Sequence, residues 1–208
     1  MAGPSVTPDE TSPSLAAIVA QIDPNLPEYR HQTSPDGMMT IVFTDIEGST
    51  EMMERLGEEA WLEMIRAHTK LVRKVVAKCG GDVAKSQGDG FMLVFGSASS
   101  ALACAVELQR AVAQFNLANL ARSLRVRIGV HTGNVFQLEE DFFGRAVVLA
   151  ARITGQAHGG QVLVSAASKE YTERLGRWRY GPPASLSLKG LAGAQRVYQL
   201  DWQAAPVQ

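Results

Sequence analysis

Thr40-Ile41-Val42-Phe43-Thr44 is a run of β-branched and aromatic residues that stops at Asp45. Residues of this kind fit a pleated, buried surface, so the run predicts a strand inside a sheet. The loop Ile46-Glu47-Gly48 follows, and then Ser49 and Thr50, good N-cap residues for a helix beginning Glu51-Met52-Met53. A carboxylate at the end of a buried strand, just before a helix start, is a constrained position.

Gly57 interrupts the first helix, and a second carries Trp61, Leu62, Ile65, His68, Val72, Val75 and Val76 along one face. Lys70, Arg73, Lys74 and Lys78 lie largely on the other, and Gly80-Gly81 ends it. Asp82 to Ser86 and Phe91 to Phe95 read as strands joined by the short turn Gln87-Gly88-Asp89-Gly90. A helix is predicted over about 98–117, with Leu102, Ala105, Leu108, Val112 and Phe115 as its buried stripe. Strands at 125–131, 161–165 and 197–202 and a helix at 144–156 complete the order. The expected fold class is α+β: a ferredoxin-like βαββαβ sheet with helices mainly on one face, extended by further C-terminal elements.

The 208 residues carry 20 basic and 21 acidic side chains, a net charge of -1. Near-neutrality supplies no overall field for gripping nucleic acid, so nucleic acid is not an expected partner. The longest apolar run near the N-terminus, Leu15 to Ala20, is far short of the ~20 residues of a membrane-spanning helix, and a cytoplasmic location is the default. Cys79 and Cys104 lack metal-ligand spacing and read as packing residues. Pro4, Pro8, Pro13, Pro24, Pro27 and Pro35 all precede Met38. Residues 1–37 are therefore expected to form a proline-rich arm, in which Leu15, Ile18, Val19 and Ile22 have the spacing of a short helix. The domain proper is expected at 38–202, with a tail at 203–208.

Asp45 and Asp89 stand out by position, one closing a strand and the other at a hairpin tip between glycines. If the first strand and the hairpin are neighbours, two carboxylates meet, and their repulsion calls for a bridging cation. Backbone N–H groups around Gly48, Ser49 and Thr50 could receive a phosphate. Oxygen ligands beside a phosphate favour Mg²⁺ or Mn²⁺. The plain alternative is two unrelated aspartates, one capping a turn and one solvated.

Three blocks in order resemble the class III nucleotidyl cyclases. Phe43-Thr44-Asp45-Ile46-Glu47-Gly48-Ser49-Thr50 is similar to their first metal motif, and Lys85-Ser86-Gln87-Gly88-Asp89-Gly90 to their second. Asp141-Phe142-Phe143-Gly144-Arg145-Ala146-Val147-Val148-Leu149-Ala150-Ala151-Arg152 resembles the segment that binds base, ribose and transition state. The resemblance spans about 38–202 and implies that Asp45, Asp89 and the Ile46 carbonyl hold two divalent ions. It implies attack of a ribose 3'-hydroxyl on the α-phosphorus of a nucleoside triphosphate, giving a 3',5'-cyclic monophosphate and pyrophosphate. Lys85 and Asp141 occupy the base-reading positions and match adenine, so ATP is the expected substrate. Arg152 matches the arginine that stabilises charge on the α-phosphate, and Lys189 a lysine that reaches the triphosphate. His131 reads as a strand-end structural residue rather than a general base.

Val148 stands where the family commonly has a ribose-orienting asparagine, and Asn134 where some members carry a phosphate-binding arginine. The family builds its site between two catalytic domains, and one chain with both residue sets implies a homodimer with two composite sites. Three readings compete with an adenylate cyclase: a nucleotide-binding regulatory module that has lost turnover, a guanylate cyclase, and a diguanylate cyclase or polymerase-palm relative. The last lacks its Gly-Gly-Asp/Glu-Glu-Phe signature here.

Overall fold

A computed structural model describes residues 37–138 and 141–204. The expected arm, with its Leu15 to Ile22 cluster, lies outside the described residues except for Gly37, and so does most of the 203–208 tail. The helices are α1 (Ser49–Leu56), α2 (Glu58–Lys78), α3 (Ala98–Ala118), α4 (Arg145–Gln156) and α5 (Ala166–Glu173). The strands are β1 (Met38–Ile46), β2 (Asp82–Gln87), β3 (Gly90–Phe95), β4 (Val126–Asn134), β5 (Phe136–Leu138), β6 (Asp141–Phe143), β7 (Val162–Ser165), β8 (Tyr180–Ser187) and β9 (Ala194–Leu200).

Seven strands form one sheet in the order β2-β3-β1-β4-β7-β9-β8, and β5 pairs with β6 separately. The pairing is antiparallel throughout the large sheet except between β4 and β7. β1 is central because both of its faces are apolar, which is why it reads as a continuous hydrophobic run rather than an alternating one. Val42 and Ile46 point into a core shared with α2 and α3, while Ile41 and Phe43 point into a second core under α4. Among the described residues, helices thus lie mainly on one face, with α4 alone crossing the other. Its close approach to β4 needs a glycine: a Cβ on Gly129 would overlap Thr154 of α4.

β1 sits between β3 and β4, with Thr44 opposite Phe91 and Asp45 opposite Arg127. That register carries the end of β1 to the tip of the β2–β3 hairpin. On the helical side, Thr40, Thr132, Ser168 and Ser165 form a chain of hydroxyl hydrogen bonds of 2.9–3.1 Å that ends on His131 Nδ1. Cys79 and Cys104 are free thiols in mutual hydrogen-bond contact, and burial pushes both up from the ordinary thiol range. Both accord with a packing role.

Candidate active site

The two aspartates converge. Asp45 is fully buried and Asp89 is 5% exposed. Asp89 Oδ2 accepts a hydrogen bond of 3.1 Å from the backbone N–H of Ile46, the residue after Asp45. The turn that presents Asp89 is short, and Gly88 enters it with φ near 59°, a left-handed conformation that glycine adopts without strain. Ile46 joins the group through its backbone.

Arg127 completes this end of the sheet. Its Nε donates to Asp45 Oδ2 at 2.8 Å, and its Nη2 lies 2.7 Å from the same oxygen in an ion pair. The guanidinium is almost as buried as the carboxylate. Sequence reasoning did not single out Arg127, although one signal was present: a cation within the apolar alternation of Val126, Ile128 and Val130.

Gly48 adopts φ 70° ahead of α1, which begins without a side-chain cap, and Met52 N–H bonds back to Gly48 O at 2.9 Å. Ser49 is buried and Thr50 exposed. Beside them a cleft of about 470 Å³ runs between the start of α1, Trp61 and Ile65 of α2, and the turn bearing Asp89. The donors here are carboxylate oxygens, and among the described residues no group of three or more His, Cys, Asp or Glu side chains converges on one point. Two buried carboxylates joined through one peptide fit a hard divalent cation whose remaining ligands are backbone and phosphate oxygens.

The expected base-reading residues also meet. Lys85 Nζ lies 2.9 Å from Asp141 Oδ2 and 5.8 Å from the centre of the Phe143 ring. Asp141 and Phe143 come from β6, and a shift of register between Val83 and Lys85 sets the lysine on β2. Arg152 is half-buried on α4, and its Nε is buried without a hydrogen-bond partner. Val148, one turn earlier, packs against the cluster of Met39, Phe43 and Val147. It offers carbon where a ribose contact would need an amide.

Two residues stand apart. Lys189 is exposed between β8 and β9, at the edge of the sheet opposite β2. One copy of the chain does not bring it to the aspartates. His131 is lowered to about 4, first by burial and then by the Arg145 charge, and its Nδ1 shares a 2.9 Å hydrogen bond with Ser165. A neutral ring held this way suits a structural role.

A family model for the adenylate and guanylate cyclase catalytic domain matches residues 31–201. An uncharacterized protein of Mycobacterium tuberculosis is 36% identical over 137 residues, covering 64% of this chain and 45% of its own length. Receptor-type adenylate cyclase B of Leishmania donovani is 30% identical over 212 residues, covering 80% of this chain and 16% of its own. The chain thus spans less than half the length of either relative. Among solved structures, the adenylate/guanylate cyclase/hydrolase from Silicibacter pomeroyi superposes with a TM-score of 0.72 at 28% identity, covering 78% of this chain and 95% of that one. The guanylyl cyclase Cya2 shares the fold, with a TM-score of 0.71 at 24% identity over 82% of this chain and 93% of its own.

Proposed function

Because the chain belongs to the adenylate and guanylate cyclase catalytic domain family, we propose that it is an adenylate cyclase, converting ATP to 3',5'-cyclic AMP and pyrophosphate at sites shared by two copies of the chain. The observation that carries the choice of ATP is the pair Lys85–Asp141, 2.9 Å apart beside Phe143. An ammonium donates to a ring nitrogen of adenine and a carboxylate accepts from its exocyclic amine, whereas guanine presents the opposite polarity. The pair is preset in the free protein, and the base replaces their mutual contact with two of its own.

Asp45, Asp89 and the Ile46 carbonyl would hold two divalent cations, Mg²⁺ or Mn²⁺. Such ions, when bound, make the ribose 3'-hydroxyl more acidic and neutralise the triphosphate. Everything else is positioning and charge. The N–H groups at Gly48, Ser49 and Thr50 receive phosphate oxygens at the start of α1. Arg152 bonds the α-phosphate as negative charge builds there, and its unpartnered Nε is a donor kept available for that task. Lys189, exposed at the far edge of the sheet, binds the triphosphate. No side chain is needed as a nucleophile.

In each site one copy supplies the aspartates and the other supplies Lys85, Asp141 and Arg152. Val148 favours a second reading, a nucleotide-binding module with little turnover, because its side chain is committed to the apolar cluster beneath α4. Loss of one orienting contact costs about 10²-fold in rate.

Incubation with Mn²⁺ and each triphosphate tests the assignment. Cyclic AMP should form in preference to cyclic GMP, and Lys85→Glu combined with Asp141→Gly should move the preference toward GTP. A wild type that prefers GTP would refute the base-reading roles. ATP binding without product, unrepaired by Val148→Asn, would select the second reading.

A further inference from the structure

Asp45 has no exposed surface, and a carboxylate so placed needs a counter-charge at all times, not only when a cation is bound. Arg127 provides one by a hydrogen bond from Nε and an ion-pair contact from Nη2, both to a single oxygen, Oδ2. The two residues are cross-strand partners in the β1–β4 ladder, so the backbone itself fixes the geometry. An arginine keeps its charge at every relevant pH, and its planar fork fixes the rotamer of the carboxylate it holds. Asp89 lies one peptide away, bonded to the Ile46 N–H.

From this arrangement we propose that Arg127 is a positioning residue that stands in for the divalent cation: it balances the acidic pair while the metal is away and lowers the pair's affinity for metal. The inference rests on the reading of Asp45 and Asp89 as cation ligands. With the guanidinium present, the two carboxylates and Arg127 carry a net charge of about -1; without it they would carry about -2. A cation loading onto the wild-type site therefore meets a carboxylate already paired to a guanidinium, and a like charge beside it. Removing Arg127 should have two opposite consequences. The metal-free protein is weakened, and the bound cation becomes worth more to it.

Thermal unfolding of full-length protein stripped with chelator, with and without added Mn²⁺ alone, tests this for wild type, Arg127→Met and Arg127→Lys. Arg127→Met keeps the apolar stem and loses the charge. Its metal-free midpoint should drop by about 10 °C, and Mn²⁺ should raise it by several degrees more than it raises wild type. Calorimetric titration should show Mn²⁺ binding at least about tenfold tighter to Arg127→Met. Arg127→Lys, which keeps the charge without the fork, should keep a Mn²⁺ response near that of wild type, and it carries the test if Arg127→Met does not fold, a response several degrees larger than that of wild type then counting against the proposal. Equal or smaller Mn²⁺ gains in Arg127→Met than in wild type would overturn the proposal and leave Arg127 a purely structural ion pair. A wild type that ignores Mn²⁺ would instead overturn the cation-binding reading itself, and this inference with it.

Discussion

Two ion pairs dominate the candidate site, and they differ in exposure. Asp45 and Arg127 are 0% and 9% exposed on adjacent central strands, whereas Lys85 and Asp141 are 15% and 39% exposed between a sheet edge and a two-stranded flap. The first pair cannot open without stranding a charge away from water. The second can exchange its contact for water or for a base at little cost. On the proposed reading, fixed charge sits where cations would be gathered, and adjustable charge sits where a base would be chosen.

The comparison breaks most sharply in stability. Asp45→Ala leaves the Arg127 guanidinium buried and alone, a loss of about 3–5 kcal/mol. Lys85→Met removes a partly solvated partner and should change stability by less than about 1 kcal/mol. Denaturant midpoints for the two variants check the difference, and equal losses would show that the exposed pair is structural too.

Acid sharpens the contrast by a smaller amount. His68 is buried on α2, edge-on to Phe91 with ring centres 5.6 Å apart, and burial lowers it from 6.5 to about 4. Between those two values the unfolded chain binds a proton that the folded chain refuses. Stability is therefore constant above about pH 6.5 and falls below it by about 1.4 kcal/mol per pH unit for this residue, levelling near pH 4. Unfolding free energies measured from pH 7.5 to 4.5 should be flatter for His68→Leu than for wild type. Parallel curves would mean that the ring is not held neutral.

The elements around the aspartates were legible because burial there writes a plain pattern. The β1 run, the glycine turn at Asp89 and the apolar stripe of α3 each follow from local chemistry, and together they set the register that joins the carboxylates. The far edge was harder to read. β8 contains Pro182 and Pro183 and is largely exposed, as edge strands allow, so it lacks a strand's apolar alternation. β9 begins at Ala194 rather than at the expected 197, since Gln195 and Arg196 are polar and lie outside the core while pairing with β8. α5 buries Ser168 and Thr172 instead of an apolar stripe. Its contacts are hydroxyl hydrogen bonds, which leave no periodicity to find. Arg127 escaped notice because a lone cation in a strand acquires meaning only once its cross-strand partner is known.

The central claim is that each site draws its acids from one copy of the chain and its base-reading pair and arginine from another. Mixing Asp89→Asn, which keeps an oxygen for the Ile46 N–H, with Arg152→Ala tests it most directly. Each variant alone should form almost no cyclic AMP from ATP and Mn²⁺, and heterodimers of the two should regain activity through one intact site. Verified heterodimers that stay as inactive as their parents, beside an active wild type, would contradict shared sites.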